Sequence, residues 1–266
     1  MADNEIKAVV FDLGETLLNF GRLSTSRLFS EAARGSYEFL TQAGQPVGRF
    51  GCYLWRNVLG LRTRALLANI TGNDFDSLST LKAYGGKKGF NLNTEQWEHL
   101  NWLWYKPLAE KASIEDGLAE ALGRLKKAGL KLGIISNTFV NACSLERHLD
   151  EVGLGGFFDV RIYSYQFKFR KPDRRIFLEA ARRLGIRPDN IVFVGDRIDK
   201  DIKGALKAGM QAVLKKAYTN IGKRPPNGVT VTNSICELSR SILRMRTGDG
   251  RGGEEKNPIN NIFDAG

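Results

Sequence analysis

Two carboxylates in this chain share a local setting. Asp12 ends the apolar run Ala8-Val9-Val10-Phe11, and Asp196 ends Ile191-Val192-Phe193-Val194-Gly195. Short, β-branched apolar runs read as strands buried on both faces of a sheet. Open parallel sheets bind ligands at the carboxyl ends of their strands. Taken singly, either acid reads as a turn or helix cap. Taken together, two acids at one edge of a sheet are able to share a hard cation. Mg²⁺ suits them, because it takes one or two protein carboxylates and leaves its other positions to water and phosphate oxygens. More polar groups stand at comparable places: Thr16 after Asp12, Ser136 and Asn137 after Leu132-Gly133-Ile134-Ile135, Lys171 ahead of a helical segment, and Asp201 after Asp196. Lys171 and Ser136 suit the neutralisation and hydrogen bonding of a phosphoryl group. A cation between the acids offsets repulsion between an anionic nucleophile and an anionic phosphate.

The elements that must position these groups alternate between strand and helix. Ala8–Phe11, Leu130–Ile135, Asp159–Tyr163, Ile191–Val194, Gln211–Leu214 and Val229–Val231 have strand character. Leu118–Leu125, Arg174–Leu184 (closed by Gly185) and Asp201–Ala208 (closed by Gly209) carry helical spacing. This alternation predicts an α/β fold built on a doubly wound, Rossmann-like parallel sheet. Between Ser24 and Lys106 the pattern is helical throughout, with Leu28, Ala32, Ala33, Tyr37 and Leu40, then Val58, Leu61 and Ala65, then Trp97, Leu100 and Trp104 on helix faces. That stretch is an inserted helical unit, and its aromatic residues, Trp102 and Tyr105 among them, read as core. The expected division is a core of residues 1–20 and 112–245, a helical cap at 21–111, and a Gly-, Asn- and charge-rich tail at 246–266 expected to be disordered.

The ordered set Phe11-Asp12-Leu13-Gly14-Glu15-Thr16-Leu17, Ile134-Ile135-Ser136-Asn137, Lys171-Pro172-Asp173 and Val194-Gly195-Asp196 through Asp201 resembles the haloacid dehalogenase (HAD) superfamily of aspartate-nucleophile hydrolases, with the insert where that family places a C1-type cap. The resemblance covers the first strand and roughly residues 112–245. It implies Mg²⁺-dependent hydrolysis of a small phosphorylated metabolite, a phosphomonoester, with Asp12 attacking phosphorus to form an aspartyl-phosphate that water then cleaves. It further implies that Ser136 and Asn137 hold phosphate oxygens, that Lys171 orients Asp12, that Thr16 organises the loop, and that Asp12, the Gly14 carbonyl, Asp196 and Asp201 hold Mg²⁺.

The chain departs from that pattern at Gly14, where phosphatases of the family usually carry a second Asp that protonates the leaving oxygen and then activates water. Such acid–base help contributes typically ~10²–10⁴-fold. Glu15 is adjacent and titratable, although neighbouring side chains in an extended chain point to opposite sides. Dehalogenase-like chemistry and a weakened, ligand- or partner-binding relative are therefore the alternatives to a phosphatase. The basic residues Lys168, Arg170, Arg174 and Arg175 around Lys171 read either as a solvated face or as a site for a second anionic group on the substrate.

Composition narrows the remaining classes. The net charge of +11 comes from scattered Lys and Arg with no RRM, KH or zinc-finger pattern, so nucleic acid is not the expected partner. No apolar stretch reaches the ~20 residues of a membrane span, and the N-terminus lacks a basic segment followed by a long apolar one. Cys52, Cys143 and Cys236 are odd in number and far apart, which fits a reducing cytoplasm. No Walker-A loop or GxGxxG follows the first strand. His99 and His148 belong to no recognisable ligand spacing.

Overall fold

The computed structural model describes residues 5–246. Six strands, β1 (Ala8–Phe11), β2 (Lys131–Ser136), β3 (Val160–Tyr163), β4 (Ile191–Gly195), β5 (Gln211–Lys215) and β6 (Thr230–Thr232), form one sheet in the order β3-β2-β1-β4-β5-β6. Every neighbouring pair is parallel. β1 and β4 are buried along their whole length, as apolar runs covered on both faces must be.

Helices close both faces. On one side, α5 (Leu118–Lys127), α6 (Ala142–Glu151) and α9 (Ile235–Arg246) pack on Val9, Phe11, Leu132 and Ile134. On the other, α7 (Arg174–Leu184) and α8 (Lys203–Lys207) pack on Val10, Ile135 and Phe193. Alternation of Val9 and Val10 between the two clusters is the two-residue period of a strand. Asp173 caps α7 by accepting from the Arg175 backbone N–H, and Gly185 closes it at φ 68°, as its position in the sequence predicts.

Between β1 and β2 lie α1 (Thr25–Gln42), α2 (Phe50–Thr71), α3 (Ser77–Lys88) and α4 (Thr94–Ala109). They have a small core of their own around Ala33, Leu40, Tyr53, Trp97 and Leu100. Trp102 and Tyr105, on the other side of α4, belong to the main core instead. The two chain crossings into this insert run side by side: Asn19 and Ser113 exchange both backbone hydrogen bonds, 2.8 and 2.9 Å.

Two sequence expectations need adjustment, and two helices had none. The segment read as one helix from Asp201 to Ala208 is a π-helical turn over Ile198–Ile202 followed by the short α8. The helices α6 and α9 carry no expectation above. Arg246 closes α9, whereas the rest of the expected tail, 247–266, lies outside the described residues. Among the described residues no helix is long and apolar enough to cross a membrane.

Candidate active site

The strand order places β1 between β2 and β4, so the residues following these three strands share one edge. The Asp12 backbone N–H donates to the Val194 carbonyl at 2.8 Å, extending the ladder one residue past β1. Asp12, Asp196 and Asp201 are buried, and one carboxylate oxygen from each lies within 4.8 Å of the others. Lys171 joins them from the loop before α7. Its Nζ stands 2.5 Å from Asp12 Oδ1, 2.7 Å from Asp201 Oδ1 and 3.0 Å from the Ile135 carbonyl.

The local sequence explains how these groups are held. The Asp201 carboxylate folds back on its own turn, its Oδ2 accepting from the Arg197 backbone N–H at 2.8 Å. It fits there because residue 195 is glycine: a Cβ at Gly195 would lie 2.5 Å from the Asp201 Cβ. Asp196 accepts a hydrogen bond from the Thr219 hydroxyl. The Asn220 side-chain amide donates to the carbonyls of Asp196 and Lys215, both at 2.9 Å, tying the loop after β5 to the end of β4. Lys215 Nζ reaches Asn19 Oδ1 at 3.2 Å, beside the Glu15 carbonyl at 3.4 Å. The sequence analysis names none of Lys215, Thr219 and Asn220; Lys215 ends β5, and Thr219 and Asn220 lie in the loop after it, at the same edge of the sheet as Asp12.

Electrostatics set the character of the cluster. Burial pushes the Asp12 and Asp196 carboxyls above the ordinary range, Lys171 pulling each back. Burial takes Asp201 up to about 6. Burial alone would lower Lys171, but the Asp12 and Asp201 carboxylates outweigh it and hold the ammonium charged. Three carboxylates around one ammonium leave two negative charges in a desolvated place. Asp201 Oδ1 has an ion-pair partner in Lys171 but no directed hydrogen bond. A hard divalent cation with oxygen ligands meets both conditions, so the residues present fit Mg²⁺.

The other expected residues are placed as follows. Ser136 is buried at the end of β2. Thr16 is buried, and its hydroxyl has no hydrogen-bond partner. The Asn137 side chain is already engaged: Nδ2 donates to the Lys171 carbonyl and Oδ1 accepts from the Lys171 N–H, both at 2.8 Å. Both polar atoms of this side chain are thus turned to the Lys171 backbone. Gly14 is bridged to Leu18 in the loop after Asp12. Glu15 is no stand-in for the absent acid, because its Oε1 accepts from the backbone N–H groups of Phe20 and Gly21, at 2.9 and 3.1 Å.

The basic cluster divides. Arg170 pairs with Asp74 of the insert at 2.7 Å, and Asp74 also accepts from the Ser164 hydroxyl. Arg175 pairs with Asp173 and lies over the Phe169 ring. Neither is held in reserve for a second anion on the substrate, while Lys168 and Arg174 are exposed.

Fold and site together define an α/β enzyme with an acidic centre at the carboxyl edge of its sheet. The chain matches the family model of haloacid dehalogenase-like hydrolases over residues 6–209 and belongs to that family. It is 30% identical over 244 residues to the glyceraldehyde 3-phosphate phosphatase of Methanopyrus kandleri, covering 90% of this chain and 96% of the relative. Over 193 residues it is 30% identical to the (S)-2-haloacid dehalogenase of Pseudomonas fluorescens, covering 71% and 75%. The crystal structure of a HAD phosphatase from Thermococcus onnurineus superposes with a TM-score of 0.55 at 25% identity, covering 90% of this chain and 98% of that one.

Proposed function

We propose that this enzyme hydrolyses a small phosphomonoester through Asp12. The observation that carries the reading is the acidic cluster itself: Asp196 and Asp201 beside Asp12 and Lys171. Displacement of halide from carbon needs no divalent cation, so a centre with three clustered acids favours phosphoryl chemistry. The likeness to the Methanopyrus phosphatase over nearly the whole of both chains supports the same reading.

In this proposal Lys171 aims Asp12, and its ammonium opposes part of the burial that favours the neutral acid. An Asp12 carboxylate oxygen forms a bond to phosphorus as the ester P–O bond breaks. The departing alkoxide takes a proton from water, and a second water then cleaves the aspartyl-phosphate to phosphate and free Asp12. This reading assigns phosphate oxygens to Ser136 and the backbone at Asn137, and the ordering of the loop to Thr16, which is buried with an unpartnered hydroxyl. Asp12, the Gly14 carbonyl, Asp196 and Asp201 would hold Mg²⁺, which supplies charge neutralisation for the approach of two anions.

The test is phosphate release from a panel of phosphomonoesters with and without Mg²⁺, for wild type and Asp12→Asn. The proposal requires turnover that depends on Mg²⁺ and disappears in the variant. Metal-independent halide release from 2-haloacids would establish the dehalogenase alternative instead.

A further inference from the structure

A cavity of about 400 Å³ lies within the helical insert, against the core. Phe29, Leu61, Leu81 and Trp104 form much of its wall, and Arg56, Arg64 and Lys87 are the charged residues on it. No Asp or Glu lines it among the described residues. Phe139 completes the wall on the core side, held by its carbonyl, which accepts from the Ser77 N–H at 2.9 Å. Phe139 follows Asn137 by two residues, so its Cα lies within about 7 Å of the Asn137 Cα, the span of two extended residues.

This cavity does not suit a three-carbon substrate. Pockets of ~300–1,000 Å³ enclose ligands of drug size, and a largely apolar wall rewards an apolar body. A wall with cations and no acids favours negative charge. We infer that the substrate is a phosphomonoester with an apolar, aromatic-sized body and a second anionic group, seated in this cavity against Arg56 and Arg64. The inference rests on the phosphatase reading for what happens at the phosphate, and it concerns the opposite end of the molecule. It also moves the second-anion site from the Arg170 loop, where Asp74 occupies the arginine, to the insert.

Gly60 provides a way to fill the cavity. It lines the wall, and a Cβ built there meets no atom within 4 Å. Binding of 4-(phosphonomethyl)benzoate, benzylphosphonate and methylphosphonate to the Mg²⁺-treated protein is measured by calorimetry, beside turnover of the corresponding esters. Wild type is expected to bind the carboxylated aryl phosphonate at least tenfold more tightly than methylphosphonate. G60F should remove most of that gain, and R56Q/R64Q should remove the preference for the carboxylated ligand over benzylphosphonate. Wild-type affinities within twofold of one another overturn the inference whatever the variants do. Tight aryl binding with no ester turned over supports the cavity assignment and refutes the phosphatase reading. Ester turnover without the aryl preference refutes the cavity assignment and leaves the phosphatase reading standing.

Discussion

The Asn137 side chain forms a closed pair of hydrogen bonds with the backbone of Lys171, donating to its carbonyl and accepting from its N–H, each at 2.8 Å. Two strand-end loops are thereby locked at the point where Nζ must meet Asp12. Asn137→Leu removes both bonds at similar size. Because a misplacement near 1 Å can cost about 10²-fold, kcat should fall by about that factor with KM changing less. Steady-state kinetics decide it, and a variant with full kcat would show that Lys171 needs no such support.

Gly195 and Asp201 make a second close relationship. Alanine at 195 puts a Cβ 2.5 Å from Asp201 Cβ and 2.6 Å from its Cγ and Oδ2. The turn must shift, at a cost of about 1–3 kcal/mol for overpacking, which is roughly 2–4 °C in Tm for each kcal/mol. Gly156→Ala, where an added Cβ meets nothing within 4 Å, is the control and should melt like wild type. Equal melting of the two variants would show that the close approach carries no constraint.

Removing Lys171 leaves three buried carboxylates without their counter-charge. Breaking a buried pair from one side costs about 3–5 kcal/mol, so Lys171→Met should melt well below wild type in a chelator. Mg²⁺ should recover part of the loss, since a ligand that binds only the folded state stabilises it by mass action. In wild type the same addition should raise Tm, and Asp201→Asn should shrink that rise. A wild-type Tm indifferent to Mg²⁺ would remove the basis for a cation at this centre.

How much of this was readable in advance depended on whether the signal was local. Asp12 and Asp196 stand one residue past apolar runs, and strand ends in a parallel sheet converge, so their meeting followed from sequence. Asp201 could be named, but its π-helical turn could not, because Asp201–Ala208 also satisfies an α-helical pattern. The place of Arg170 is hidden for a different reason: its partner Asp74 lies in the insert, 96 residues away. A charge cluster on a loop gives no hint of a counter-ion brought in by tertiary packing. The resemblance implies a phosphate contact for Asn137, but its amide geometry against Lys171 exists only in the folded chain.

His148 is buried between the insert and the core, with Tyr105 Oη 2.9 Å from Nδ1 and no partner for Nε2. Burial lowers its pKa from 6.5, with Glu151 opposing. The folded protein therefore keeps this ring neutral at pH values where the unfolded chain protonates it. Stability from this group is complete above pH 6.5, falls as pH drops through that value, and levels off below the folded pKa. Each unit of depression corresponds to about 1.4 kcal/mol. His148→Gln should flatten the decline in Tm between pH 7 and pH 5 relative to wild type. Superimposable pH profiles would place the acid sensitivity elsewhere.

Gly14 sets the largest expected gain. Its backbone lies outside the left-handed region, and a Cβ added there would meet only the Phe20 ring edge, at an ordinary 3.8 Å. Gly14→Asp can thus be built without strain and keeps the carbonyl that the cation site calls on. The new carboxyl would supply the titratable group that can give a proton to a leaving alkoxide. If proton transfer limits hydrolysis, turnover of esters with poor leaving groups should rise by about 10²–10⁴-fold. Aryl esters with good leaving groups should gain far less, because their alkoxide leaves without help. An equal gain on both classes would point to a change in cation binding, and no gain on either would show that this enzyme obtains its proton from another group or from the substrate.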